Sequence, residues 1–253
     1  MTGPEMTPAG VEDLRVLGDV DGLIRALDPA HPAEVRRAAA VSLGDLVDPR
    51  AVEPLIRILG EKDEQVRLAA VLSLAKIGDT GAVAPLTILL SDPDGDVRTA
   101  TVVALGMIGD RSSVPALLSA LSDAHTPVRD AVAWALGAIR DEQAVRPLIR
   151  TLSDPEWHVR MEAEWALLEI GRPAVEPLIS ALHDEGIRWK AAGVLVKLGS
   201  MALEPLRTAL QGTSDQNVRQ GGEWALKKIR ELRTRMKERD PFTDNNIPEG
   251  RRP

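Results

Sequence analysis

Cysteine is absent from the 253 residues, which excludes disulfides, thiolate metal sites and cysteine nucleophiles together. Tyrosine is absent too, phenylalanine occurs once, at Phe242, and tryptophan five times. A compact domain of this length draws on more aromatic bulk for a central core. So few rings suit a thin strip of Ala, Leu, Val and Ile between stacked helices. No stretch of 18 or more apolar residues occurs, so no membrane span is expected. The opening MTGPEMTPAGVEDL has neither a basic start nor an apolar run behind it, and the reading is a cytoplasmic chain. The net charge of −7 is unevenly spread. Residues 1–226 carry 22 basic and 33 acidic side chains, whereas 227–253 carry 9 and 5.

What the chain does have is a repeat. The pair Val97-Arg98 recurs as Val35-Arg36, Val66-Arg67, Val128-Arg129 and Val159-Arg160 in steps of 31 residues. It returns as Ile187-Arg188 after 28 and as Val218-Arg219 after another 31. A second landmark, a valine ahead of a proline-leucine motif, keeps the same beat at Val52, Val83, Val114 and Val145, and comes slightly early at Val175 and Leu203. A fixed period in this range marks a solenoid, because each unit buries its apolar face only against its neighbours.

Each repeat reads as two helices. In the stretch from Ala82 to Asp110, Val83, Leu86, Leu89 and Leu90 form one stripe at helical spacing, with Pro85 in the first turn, where a missing N–H costs nothing. Ser91 to Gly95 is turn chemistry. A second helix from about Asp96 to Ile108 buries Val97, Thr101, Ala104, Leu105 and Ile108, and Gly109 closes it. First helices are expected near Val20, Val52, Val83, Val114, Val145, Val175 and Leu203, each followed by a second. Val11–Leu17 reads as a capping helix behind a disordered start. The last second helix runs past Ile229 without a glycine stop, as a polar C-terminal cap would. The division is thus 1–19 as disordered start and cap, 20–239 as solenoid with its C-terminal capping helix, and 240–253 as flexible tail.

The pattern VRxxAxxALGxIGD followed by AVxPLIxxL resembles the short HEAT-like repeats of phycobilin lyase subunits and of many prokaryotic scaffold proteins, and covers roughly residues 20–230. The resemblance implies an all-α, right-handed α-solenoid of the HEAT/armadillo type, with seven helical pairs and the second helices lining a concave face. Deoxyhypusine hydroxylase, built from similar repeats, holds iron through His-Glu dipeptides on its second helices. The corresponding places here read Arg37-Ala38, Leu68-Ala69, Asp130-Ala131 and Met161-Glu162, and no His-Glu pair exists anywhere. That hydroxylase is excluded. With four histidines at His31, His125, His158 and His183, no metal site, cofactor or catalytic set is expected.

The recurring arginines can be a phosphate-binding stripe or a ladder of inter-repeat ion pairs with loop acids such as Asp92, Asp123, Asp154 and Asp184. A residue fixed in every unit suits packing, whereas a binding surface varies from unit to unit. The acidic body also argues against nucleic acid. The run Lys227, Lys228, Arg230, Arg233, Arg235, Lys237, Arg239 is read as a solvated cap. Variation marks the binding face instead. Positions flanking the Val-Arg pair, and those six and ten beyond the valine, hold Trp134, Trp157, Met161, Trp165, Glu169, Trp189, Lys190, Lys197, Trp224 and Lys228. Gly193 stands where the sixth repeat's tryptophan would be, which predicts a notch with a glycine floor and walls of Trp165, Trp189 and Trp224. Tryptophan is enriched at binding hot spots. The reading is a non-enzymatic scaffold gripping a protein or peptide in a C-terminal concave groove. The alternative is a subunit of a bilin lyase or related tetrapyrrole-handling enzyme, with Lys190, Lys197 and Lys228 pairing the propionates.

Overall fold

The computed structural model describes residues 6–239; the expected tail at 240–253 lies outside the described residues. The chain is an all-α solenoid that divides into two compact units, residues 1–169 and 170–253.

The first unit begins with α1 (Pro8–Leu17) and continues in pairs: α2 (Val20–Arg25) with α3 (Ala33–Leu46), α4 (Val52–Arg57) with α5 (Glu64–Ile77), α6 (Val83–Ile88) with α7 (Gly95–Ile108), α8 (Val114–Ala120) with α9 (Thr126–Ile139), and α10 (Val145–Thr151) with α11 (Trp157–Ile170). The second unit holds α12 (Val175–Ala181) with α13 (Arg188–Leu198), and α14 (Ser200–Gly212) with α15 (Gln216–Arg239). The helical pairs fall where the repeat places them. Helix α1 starts earlier than the sequence suggests, at Pro8, because the Thr7 hydroxyl caps it by accepting the Gly10 N–H at 3.2 Å and proline is tolerated in the first turn.

Two leucine ladders make the core. Leu23, Leu55, Leu86, Leu117 and Leu148 come from the first helices of the first unit, and Leu43, Leu74, Leu105, Leu136 and Leu167 from its second helices; all are fully buried. Leu178, Leu206 and Leu195 do the same in the second unit. In the first unit α3, α5, α7 and α9 pack each against the next, forming one continuous layer. In the second, α13 packs on α15 and on α12.

Helix boundaries are set by short polar signals. Asp63 and Asp94 cap α5 and α7 by accepting the first free N–H groups, from Gln65 and Val66 and from Asp96 and Val97. Asp48, Asp79, Asp110 and Asp141 cap the 3-10 turns that lead into α4, α6, α8 and α10. Each follows a residue with left-handed backbone. Gly78 and Gly109 supply that conformation without steric cost, but Val47 and Arg140 adopt it at φ 52° and 55°, where a side chain crowds its own carbonyl.

Candidate ligand-binding face

The arginines are locking residues. Arg67 grips Asp92 through Nε (2.7 Å) and Nη2 (2.9 Å), Arg98 grips Asp123 (2.8 and 2.9 Å), and Arg129 grips Asp154 (2.8 and 3.1 Å). Arg36 pairs with Glu61 at 3.1 Å, an acid the sequence reading did not single out. Each remaining Nη1 turns inward to loop carbonyls, as in Arg98 to Asp92 O at 2.8 Å and Arg129 to Asp123 O at 3.0 Å. One aspartate therefore accepts from the previous arginine through its carboxylate and from the next through its backbone. The hydrogen bonds from Arg98 hold the Asp123 carboxyl below its ordinary value despite partial burial. A guanidinium whose donors are spent this way is not an open phosphate stripe. In the second unit the partners change: Arg188 donates to Asn217 and to Gln220, and Arg219 Nε to Thr213 O.

The five tryptophans all lie on second helices: Trp134 on α9, Trp157 and Trp165 on α11, Trp189 on α13 and Trp224 on α15. Trp157 and Trp189 are 51% exposed, Trp165 and Trp224 37%, and Trp134 is half-buried. None is a closed core residue. Trp134 and Trp165 are nevertheless seated. A Cβ added at Gly106 would stand 2.6 Å from Cζ3 of Trp134, and one at Gly137 would stand 2.7 Å from Cζ3 of Trp165. Each ring lies with one edge in a dent left by a glycine on the preceding second helix, and the residue stays partly exposed. Trp157 instead lies against His158, ring centroids 3.7 Å apart and planes tilted by 33°.

On the same layer of the first unit, Met161 is exposed, and Glu169 is tied to Arg140 in an ion pair. Two further carboxyls stand one helical turn before the tryptophans: Asp130 four residues before Trp134, and Glu162 three before Trp165, spacings that share a helix face. Burial raises the Asp130 carboxyl above its ordinary value, with His158 pulling the other way. Glu162 is raised by burial first and by the charge of Asp130 second. Oδ1 of Asp130 is buried without a hydrogen-bond partner.

In the second unit Trp189 and Trp224 meet edge to face, centroids 5.9 Å apart and planes at 83°, a favoured aromatic geometry. The Arg188 guanidinium lies 5.4 Å from the Trp189 ring centre. One turn on from Trp189, a Cβ at Gly193 would meet nothing within 4 Å, so that position is open. Lys228 pairs with Glu231 at 2.9 Å; Lys190 and Lys197 lie on α13 beside the glycine, Lys197 exposed one turn beyond it.

The sequence reading fixed on tryptophan and missed smaller members of the same row. Val41 on α3 and Leu72 on α5 occupy the position of Trp134 and Trp165 and are 40% and 44% exposed; Val103 on α7 is half-buried there. The signal was available, since an apolar residue six beyond the valine recurs in five successive repeats.

The HEAT repeats family model matches residues 20–106, 83–168 and 147–227. Among curated proteins none matches significantly. Similar solved structures include the complex of CpcE and CpcF of phycocyanin lyase from Nostoc sp. PCC7120, at 25% identity and TM-score 0.54, covering 90% of this chain and 97% of that one. An engineered protein matches at 24% identity and TM-score 0.52, over 84% and 97%. A designed armadillo repeat protein in complex with the peptide (KR)4 matches at 21% and 0.50, over 83% and 99%. Both of these last two show the fold alone.

Proposed function

The chain belongs to the HEAT repeat family, and from that premise we propose that it is a non-enzymatic scaffold holding a protein or peptide on its layer of second helices. The observation that carries this reading is the set of large apolar side chains left in solvent on the second helices of each unit. Val41, Leu72, Trp157, Met161 and Trp165 in the first unit, and Trp189 and Trp224 in the second, remain exposed where the leucine ladders are fully buried. Exposed apolar surface of this kind, rimmed by charge, marks an interaction site. Its composition, tryptophan and methionine with the arginines occupied elsewhere, is that of an interface centre.

Capture from native lysate tests it. A Trp165→Ala, Trp189→Ala double variant that melts like wild type should lose the protein that wild type retains. Equal capture by both would overturn the assignment of these residues.

A second reading rests on the second unit. The edge-to-face Trp189–Trp224 pair, the open Gly193 and the lysines at 190, 197 and 228 offer walls and counter-charges for a planar anionic ring. The similarity to a phycocyanin lyase complex supports a tetrapyrrole as that ring. Mixing the protein with a bilin and following its visible absorbance separates the two, because a peptide scaffold leaves the spectrum unchanged.

A further inference from the structure

The carboxyls of Asp130 and Glu162 are costly where they stand. They sit on neighbouring helices, partly buried; the charge of Asp130 disfavours that of Glu162, while His158 draws Asp130 the other way, and Oδ1 of Asp130 is buried without a hydrogen-bond partner. Neither forms a salt bridge, although the other acids of this face, Asp45 and Glu169, are tied to Lys76 and Arg140. The whole first unit carries 16 basic and 27 acidic residues, so it offers surplus charge of the wrong sign to relieve them. An arrangement that costs stability and serves no internal contact is characteristic of a site built for something else.

What surrounds the pair narrows the occupant. Trp134 and Trp165, one turn further along the same two helices, are partly exposed, and one edge of each ring is seated at Gly106 and Gly137. Indole surface beside two carboxylates that no lysine or arginine pairs, with His158 near Asp130, accommodates a side chain with a long apolar stem and a cationic head. We propose that this part of the face receives an arginine or lysine of an extended basic partner segment, the head between Asp130 and Glu162 and the stem along Trp134 and Trp165. This rests on the scaffold reading and names the chemistry of its partner.

The row of Val41, Leu72, Val103, Trp134 and Trp165 also sets a register. Packed helices lie about 8–10 Å apart, and an extended polyproline II segment advances about 9 Å for each turn of three residues. One side chain in three then falls on each helix. The partner presents apolar residues at that interval, with its cation where the row reaches the two tryptophans.

The test selects 15-residue peptides from a random display library on the full chain. Selected peptides should be enriched in arginine or lysine, spaced by three from apolar residues. Replacing the conserved arginine of a selected peptide with citrulline, which keeps shape and loses charge, should weaken binding to wild type by about tenfold or more. The same replacement should make little difference to Asp130→Asn or Glu162→Gln, whose melting temperatures should equal or exceed that of wild type because a buried charge has gone. Selected peptides that need Trp134 and Trp165 but show no basic enrichment, or a citrulline effect that persists in both variants, would overturn the cation site and leave the scaffold standing. If no peptide binds in a tryptophan-dependent way, both readings fall. Should Asp130→Asn not fold, Glu162→Gln and the citrulline comparison on wild type decide the matter.

Discussion

Arg98→Ala removes one lock from the middle of the first unit. Four donations go: two to Asp123 at 2.8 and 2.9 Å, and two to Asp92 O and Pro93 O at 2.8 and 3.3 Å. Asp123 keeps only the His125 N–H at 2.8 Å, and its side chain is 13% exposed, against 17% for Arg98. A net charged hydrogen bond contributes about 1.5–3 kcal/mol, and breaking a buried pair from one side costs about 3–5 kcal/mol. Water reaching the freed carbonyls and the partly exposed carboxylate trims the sum, so the expected loss is about 2–4 kcal/mol. Urea unfolding followed by circular dichroism reads it directly, and a cycle with Asp123→Ala isolates the pair. The pH dependence has a definite sign. Arg98 depresses the Asp123 carboxyl in the folded chain, so the stability it adds is present above the ordinary carboxylate range and is lost as pH falls through the depressed value. Arg98→Ala should flatten that acid limb. A loss below about 0.5 kcal/mol, the range of an ordinary surface change, would refute the locking role. A coupling near zero would do the same.

Four substitutions at a helix end and at glycines test the rest of the account. Val47→Gly should stabilise the chain by about 1 kcal/mol, since a valine at φ 52° pays a left-handed penalty that glycine does not; a lower melting temperature would contradict it. Gly106→Ala should cost about 1–3 kcal/mol by overpacking and shift the emission of Trp134, because the new methyl meets Cζ3 at 2.6 Å and the Ala135 Cβ at 2.9 Å. Gly193→Ala should do the reverse, adding about 0.5–1 kcal/mol of helix propensity in open space, and the two thermal melts should move in opposite directions. Gly193→Trp should block the partner while leaving helicity and melting temperature near wild type, as measured by circular dichroism beside a binding assay.

The fold was legible because its cause is periodic. Leu86, Leu117 and Leu148 are buried for the same reason at the same interval, and one repeat read correctly fixes the others. The lock was legible in outline, since arginine and aspartate recur at a constant separation. Val47 and Arg140 could not be foreseen in left-handed backbone, because the chain imposes there a conformation that their own chemistry disfavours. The seats of Trp134 and Trp165 needed the register between neighbouring helices, which decides that a glycine nine residues after one valine lies under a ring six residues after the next. The pairing of Asp130 with Glu162 was not legible for a similar reason. Their significance lies in the donors they lack, and only assembled neighbours reveal that.

The arginine lock has a consequence for how such a chain grows. Arg36, Arg67, Arg98 and Arg129 each find a carboxylate 25 residues ahead, and the backbone of that acidic residue serves the next arginine. Any 31-residue segment copied from the span between Arg67 and Asp154 thus brings one complete half of each junction and leaves the complementary half at the splice. Tandem duplication would join without a misfit at either end, and deletion of one segment would close the same way. The side chains that fix the joint also stand apart from those at the exposed row, so a copied segment is free to exchange Val41-like for Trp134-like residues at once. Length and recognition can change independently.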